Sequence, residues 1–355
     1  MLEREIAFSL ALSKVKGIGY RIFKILVEKF GSATLAVENI HKLNDISKNL
    51  IQAVESISDR DLEDGYRQIE KANKLGVKIV PLSNSDYPKL LKEIPDPPPI
   101  LYVKGNFPIP QNTLSVVGTR NPSVYGKFLV ENIVRPLAKE EVNIVSGLAF
   151  GIDSMAHKVA LEEGSFTTAV LGHGIDFIFP SQNKGLYEKI VSNGCLISEF
   201  PLGTKPSKYT FPQRNRVIAG ISYGTIVLEA GLRSGSLITA KYADGYSRVV
   251  FTPPGNLNQE STLGNNLLIK QGIAIPILSV DDIFKEVPFL SNFVEKEYMT
   301  LTDVEEKILS LLTSPKHIDQ ILEEFDFNPE IDSILLEMTL KGIIKEEGGF
   351  YYRTG

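Results

Sequence analysis

A single cysteine, Cys195, occurs in 355 residues. One thiol excludes a disulfide framework and a cysteine-ligated zinc site. No stretch approaches the ~20 apolar residues of a membrane-crossing helix, so no membrane partner is expected. The opening MLEREIAF carries two glutamates where a secretory leader carries basic residues, and the expected location is the cytoplasm. Net positive charge is lacking as well. The formal charge of −5 excludes a uniformly basic nucleic-acid binder, though not a local basic field. The GxGxxG dinucleotide fingerprint is absent, and neither a cofactor nor a metal is expected.

What is present reads as a folded, soluble chain: 43% apolar and 23% charged residues, long enough for two or three domains. The first ~65 residues show helical apolar spacing. Within them, LSKVKGIGYRIFKILVEKF predicts two helices around a Gly17-Ile18-Gly19 turn. Such a helix–hairpin–helix either offers backbone N–H groups to a phosphate or uses its glycines for close helix packing. Residues 66–110 include the proline-rich DYPKLLKEIPDPPPILYVKGN, which cannot be continuous helix and reads as a connecting strap. From 111 to 285 the texture alternates. LSVVG, VNIVSG, TTAVLG, GCLISE, GTIVLEA and RVVFTPPG are apolar runs without polar alternation, as expected of parallel strands buried on both faces. The expected fold is α/β, a Rossmann-like doubly wound and mostly parallel sheet. An N-terminal helical domain precedes it, and a winged-helix-like domain comes after it over 298–355, three helical patterns and then the hairpin GIIKEEGGFYYR.

Charge is unevenly placed. Between Pro201 and Arg248 seven basic residues face two acidic ones, whereas from Tyr298 onward five basic residues face twelve acidic. The acidic tail is not expected to grip phosphate. Its apolar helices are expected to bury against the sheet domain or a partner.

Ligands of such a sheet belong in the turns at the carboxyl ends of its strands. VVGTRNPSVYG places Gly118, Thr119 and Arg120 in the first of these turns. Glycine there lets a phosphate approach the backbone, and the arginine fork holds two of its oxygens. In SGLAFGIDSMAH, Asp153 and His157 lie one helical turn apart. With no third ligand they make a poor metal site and are expected to brace neighbouring turns. His173 sits between glycines at the same edge. KPSKYTFPQRNR interleaves Lys208, Tyr209 and Phe211, a cation and rings suited to the phosphate and base of a single strand. Arg214 and Arg216 come next and are read as surface cations holding phosphate. SGSLITA opens a helix with Ser236 and is either a second anion cradle or an ordinary serine cap.

Six motifs, VVGTRNPSVYG, SGLAFGIDSMAH, AVLGHGID, FPQRNRVIAG, VLEAGLRSGSLITA and TPPGNL…GNNLLIKQG, occur in order between Tyr87 and Leu278. In this they resemble the DNA-processing protein A (DprA/Smf) family. The resemblance implies a homodimeric, non-enzymatic protein that binds single-stranded DNA and brings the RecA recombinase to it during natural transformation. It also implies the site. Gly118 and Arg120 fall in a phosphate-holding turn, and Lys208, Phe211, Arg214 and Arg216 in a positive segment with a base contact. Thr119, Lys184, Lys205, Asn215, Ser236 and Lys241 complete the expected DNA-binding set. Two rival readings remain. GTIVLEA also resembles the glycine-threonine-glutamate segment of nucleotide phosphoribohydrolases, with Glu229 as catalytic carboxylate and Arg216 as phosphate anchor. That family, however, has paired glycines before the threonine. A pure protein-interaction scaffold would leave the basic segment unexplained.

Overall fold

The computed structural model describes residues 2–43, 47–290, 302–312, 314–340 and 343–353. The chain divides into two compact units between residues 292 and 293.

The first unit opens with five helices, α1 (Leu2–Ser13), α2 (Tyr20–Phe30), α3 (Ala33–Asn39), α4 (Lys48–Glu55) and α5 (Asp59–Lys74). The α1–α2 turn is made possible by Gly17 at φ +95°, a conformation L-residues rarely adopt, and Ile18 beside it is buried. The expected boundary at residue 65 falls inside α5. The chain between α5 and the parallel strands is more than a strap: it folds into β1 (Lys78–Pro81), α6 (Lys89–Glu93) and β2 (Ile100–Gly105).

The sheet then continues through β3 (Thr113–Val117), α7 (Val124–Leu129), α8 (Arg135–Lys139), β4 (Asn143–Ser146), α9 (Ile152–Glu162), β5 (Thr167–Leu171), α10 (Lys184–Asn193), β6 (Cys195–Ser198), α11 (Thr210–Gly220), β7 (Gly224–Val227), α12 (Ser236–Gly245), β8 (Val249–Thr252), α13 (Leu263–Lys270), β9 (Ile275–Pro276) and α14 (Val280–Glu286). All six predicted strands are present, and the strand order is β1-β2-β6-β5-β4-β3-β7-β8-β9. From β6 to β9 every neighbouring pair is parallel, while β1–β2 and β2–β6 are antiparallel. This is the doubly wound, mostly parallel sheet that the apolar runs predict.

Alternate residues of each strand enter opposite cores. Leu114, Val116, Ile144, Ile226 and Phe251 pack against α7–α9. Val117, Val145, Val170, Val227 and Val250 face the other way, against α11 and α12. That second core runs on without a break through Leu91 and Ile94 to Phe23, Leu26 and Val27, so the N-terminal helices form a layer of the same body.

The second unit contains α15 (Asp303–Leu311), β10 (Lys316–His317), α16 (Ile318–Glu323), α17 (Glu330–Leu340), β11 (Ile344–Glu347) and β12 (Phe350–Arg353). Its strands pair in the order β10-β12-β11. Among the described residues, three helices and a hairpin follow one another in the order of the sequence pattern; the expected start at 298 lies outside the described residues. Ile308, Leu312, Ile321, Leu335 and Met338 close a core within this unit. Its helices thus bury apolar faces against each other within the unit.

Candidate functional site

A cavity of about 890 Å³ opens at the carboxyl edge of the parallel strands, where the sheet topology directs ligands. Turns after five strands build it. Gly118–Arg120 come after β3, Ala149 and Asp153 after β4, Phe179 after β5, Gly231, Arg233–Ser236 and Thr239 after β7, leading into α12, and Glu260 and Ser261 after β8. The approach to α11 supplies Lys208, and its first turns supply Phe211, Arg214 and Asn215. Pro212 is tolerated there because the first helical turn has no intrahelical acceptor for its missing N–H.

The β3–α7 turn is tightly held. Thr119 N–H donates to the Glu229 carbonyl at 2.7 Å, and Ser123 N–H to Glu229 Oε2 at 2.9 Å. Asn121 N–H is taken by Thr119 Oγ1, and Ser123 Oγ caps Gly126. With these donors engaged, the turn offers chiefly its exposed side chain, Arg120. Lys208 and Arg233 are also exposed. Among the described residues none of these three has a carboxylate partner within ion-pair distance. Asp153 is buried and Glu260 exposed, so four basic residues (with Arg214) face two acidic ones across the lining.

Phe211 is half-buried, seated where a glycine leaves room: a Cβ on Gly172 would lie 2.6 Å from its ring. Phe179 stands beside it, ring centroids 5.7 Å apart. Lys208 Nζ lies 5.2 Å from the Tyr209 ring centroid, and Tyr209 is 74% exposed.

The arginines differ from the sequence expectation. Neither Arg214 nor Arg216 is a surface cation; they are 5% and 2% exposed. Arg214 lines the cavity floor, but its Nη1 donates to the carbonyls of Gly147, at 2.8 Å, and Val170. It ties α11 to the ends of β4 and β5, and a side chain at Gly147 would overlap the guanidinium. Burial pushes its pKa down to about 10, with Asp153 countering. Arg216 points away from the cavity. It pairs with Glu199, donates to the Asp96 carbonyl and lies 4.0 Å from the Tyr20 ring centroid. Burial alone would lower its pKa, but Glu199 and its neighbours outweigh that and raise it. These two residues commit their donors to the protein because they sit one and two turns into a helix flanked by the sheet and the helical layer.

Of the other predicted residues, Gly118, Thr119, Asn215 and Ser236 line the cavity, whereas Lys184, Lys205 and Lys241 do not. Lys184 lies 4.0 Å from Glu188 on α10. Arg233 and Phe179 also line the cavity and stand outside the predicted set; the charge count around α12 includes the first, and the second has no signal beyond an aromatic after a strand. Asp153 and His157 brace neighbours, as expected. Asp153 Oδ2 accepts from Gly147 N–H at 3.2 Å, and His157 Nδ1 lies 2.7 Å from Thr167 Oγ1. Burial raises the Asp153 pKa, against the pull of Arg214, and depresses that of His157 to about 3. Glu229 is wholly buried and outside the lining.

The sequence matches the family described as DNA recombination-mediator protein A over residues 78–288. Protein Smf of Synechocystis is 32% identical across 99% of this chain and 100% of its own. DNA processing protein DprA of Bacillus subtilis is 41% identical over 60% of this chain and 72% of its own. Among solved structures, DNA processing protein A of Streptococcus pneumoniae aligns with a TM-score of 0.62 at 34% identity, covering 78% of this chain and 95% of that one. The Helicobacter pylori protein, described for its single-stranded DNA binding mode, aligns with a TM-score of 0.54 at 31% identity over 61% and 97%.

Proposed function

This chain belongs to the DNA recombination-mediator protein A family, and from that premise we propose that it binds single-stranded DNA in the cavity at the carboxyl edge of the sheet. The observation that carries the reading is the exposed trio Arg120, Lys208 and Arg233 set around Phe211 and Phe179. Cations meet the phosphates and rings meet unstacked bases. The first turn of α12 opens on the same cavity, adding the positive end of a helix dipole. Nothing in this set reads a base edge, so binding is independent of sequence. Gly118, Thr119, Asn215 and Ser236 lie within reach of the same strand, and Arg214 supports it from below. Lys205, Lys184 and Lys241, outside the cavity, act at most on the longer-range field.

The protein acts as a binder rather than an enzyme: it works as a homodimer, hands DNA to the RecA recombinase and serves natural transformation. The hydrolase alternative has less support. Glu229 is enclosed and accepts the Ser123 N–H, and Arg216, its supposed phosphate anchor, is paired with Glu199. Fluorescence anisotropy with single- and double-stranded oligonucleotides of one length, at two salt concentrations, tests the reading. Preference for the single strand with a steep salt dependence supports it; binding confined to duplex overturns it.

A further inference from the structure

The segment from Glu199 to Arg216 joins β6 to α11 and carries Lys208, Phe211, Arg214 and Asn215 to the cavity. Its path from Phe200 to Tyr209 holds no regular strand or helix. Something must fix it, and the N-terminal helical layer grips it at both ends.

Tyr20, first residue of α2, links the segment's first residue to its far end: it donates its hydroxyl to Glu199 Oε2 at 2.8 Å. Gln213 Nε2 donates to the same hydroxyl, and Arg216 stacks over the Tyr20 ring while pairing with Glu199. At the near end, Gln68 of α5 holds Leu202 with a reciprocal pair: its Oε1 accepts the Leu202 N–H at 3.2 Å and its Nε2 donates to the Leu202 carbonyl at 3.4 Å. Lys71, one turn on, pairs at 2.8 Å with Asp176, whose other oxygen accepts the Gly203 N–H at 2.9 Å. No residue of α1–α5 lines the cavity.

We propose that the N-terminal helical layer is a positioning part of the single-strand site, with Tyr20 and Gln68 holding segment 199–216 in its binding-competent arrangement. This rests on the single-strand reading of the cavity. The layer touches no DNA; it raises the fraction of molecules in which Lys208 and Phe211 stand ready. An apparent affinity falls in proportion to that fraction.

The test is the Tyr20→Phe/Gln68→Ala double variant of the full chain. Tyr20→Phe removes one hydroxyl and keeps the ring beneath Arg216, and Gln68→Ala removes the Leu202 clamp together with the acceptor of the buried Tyr102 hydroxyl, so both measurements are made well below the variant's thermal midpoint. Two measurements are made: anisotropy with a labelled single strand across a salt series, and amide hydrogen exchange without DNA. Expected are a roughly three- to tenfold weaker affinity, an unaltered log–log salt slope, and faster exchange confined to 199–216. A merely structural role would lower the thermal midpoint without loosening this segment selectively or weakening binding by the folded protein. Wild-type affinity in the double variant overturns the inference, as does unchanged exchange in 199–216. A flattened salt slope overturns it too, since that marks a lost phosphate contact. If the wild-type protein itself fails to retain single strands, the single-strand reading falls and this inference with it, while the exchange measurement reports on the clamp separately.

Discussion

Arg216 and Glu199 form an ion pair in which the two side chains are 3% and 4% exposed. Its members lie on α11 and just beyond β6, and Tyr20 of α2 closes over it. Removing one partner of such a pair leaves a buried, uncompensated charge, a loss of about 3–5 kcal/mol.

Arg216→Ala is therefore expected to destabilise the protein by about that amount in urea denaturation. A midpoint within error of the wild type would show that the pair contributes nothing to the fold.

Arg120, Lys208 and Arg233 are expected to behave in the opposite way. Alanine at any one should barely move the thermal midpoint, because exposed cations add little stability. Each should flatten the log–log salt slope for single strands by roughly 0.7, one released counterion per lost phosphate contact. An unchanged slope for all three would remove the cavity from consideration.

Phe211→Ala should weaken single-strand binding by about 1–3 kcal/mol with the salt slope intact. Gly172→Ala, whose Cβ would press on the Phe211 ring at 2.6 Å, should act in the same direction. If Phe211→Ala binds as tightly as wild type, the ring is packing rather than a base contact.

His157 should stay neutral well below ordinary histidine pH. Burial holds its pKa near 3, beneath the ~6.5 of an unfolded chain. As pH falls the unfolded chain takes the proton first. This histidine's contribution, whole above about pH 6.5, is lost at roughly 1.4 kcal/mol per unit toward pH 3. An imidazole NMR titration tests this: a midpoint near 6.5 in the folded protein would contradict it.

Removing residues 302–355 should leave single-strand affinity within a few-fold. From Tyr298 onward twelve acidic residues face five basic, and counterion release requires cations at the contact. A hundredfold loss in the same anisotropy assay would place DNA contacts in that unit.

The central strands were legible because β3, β5 and β7 are short, largely apolar runs without charged or alternating polar residues, the signature of strands covered on both faces. By contrast, β1 and β2 were hidden among prolines. KIVP and ILYVKG both lie inside the segment read as a strap, and β2 joins the sheet only by pairing with β6, far along the chain. At the candidate site, glycine and cation spacing pointed to turns that the structure gathers around one cavity. It could not report that Arg214 is spent on the carbonyls of Gly147 and Val170, since main-chain acceptors leave no trace in residue identity. Nor could it pair Arg216 with Glu199 and Tyr20, whose proximity is a property of the folded body.

The antiparallel pair β1–β2 also decides where the chain can be cut. β2 covers the outer edge of β6 along Tyr102–Gly105. A fragment starting at residue 111, after the apparent strap, would bare a row of unpaired β6 amides and carbonyls beside an apolar face, a template for edge-to-edge aggregation. A fragment starting before Lys78 keeps that edge sheathed, so a cut that spares it must fall ahead of β1 rather than ahead of the first parallel strand.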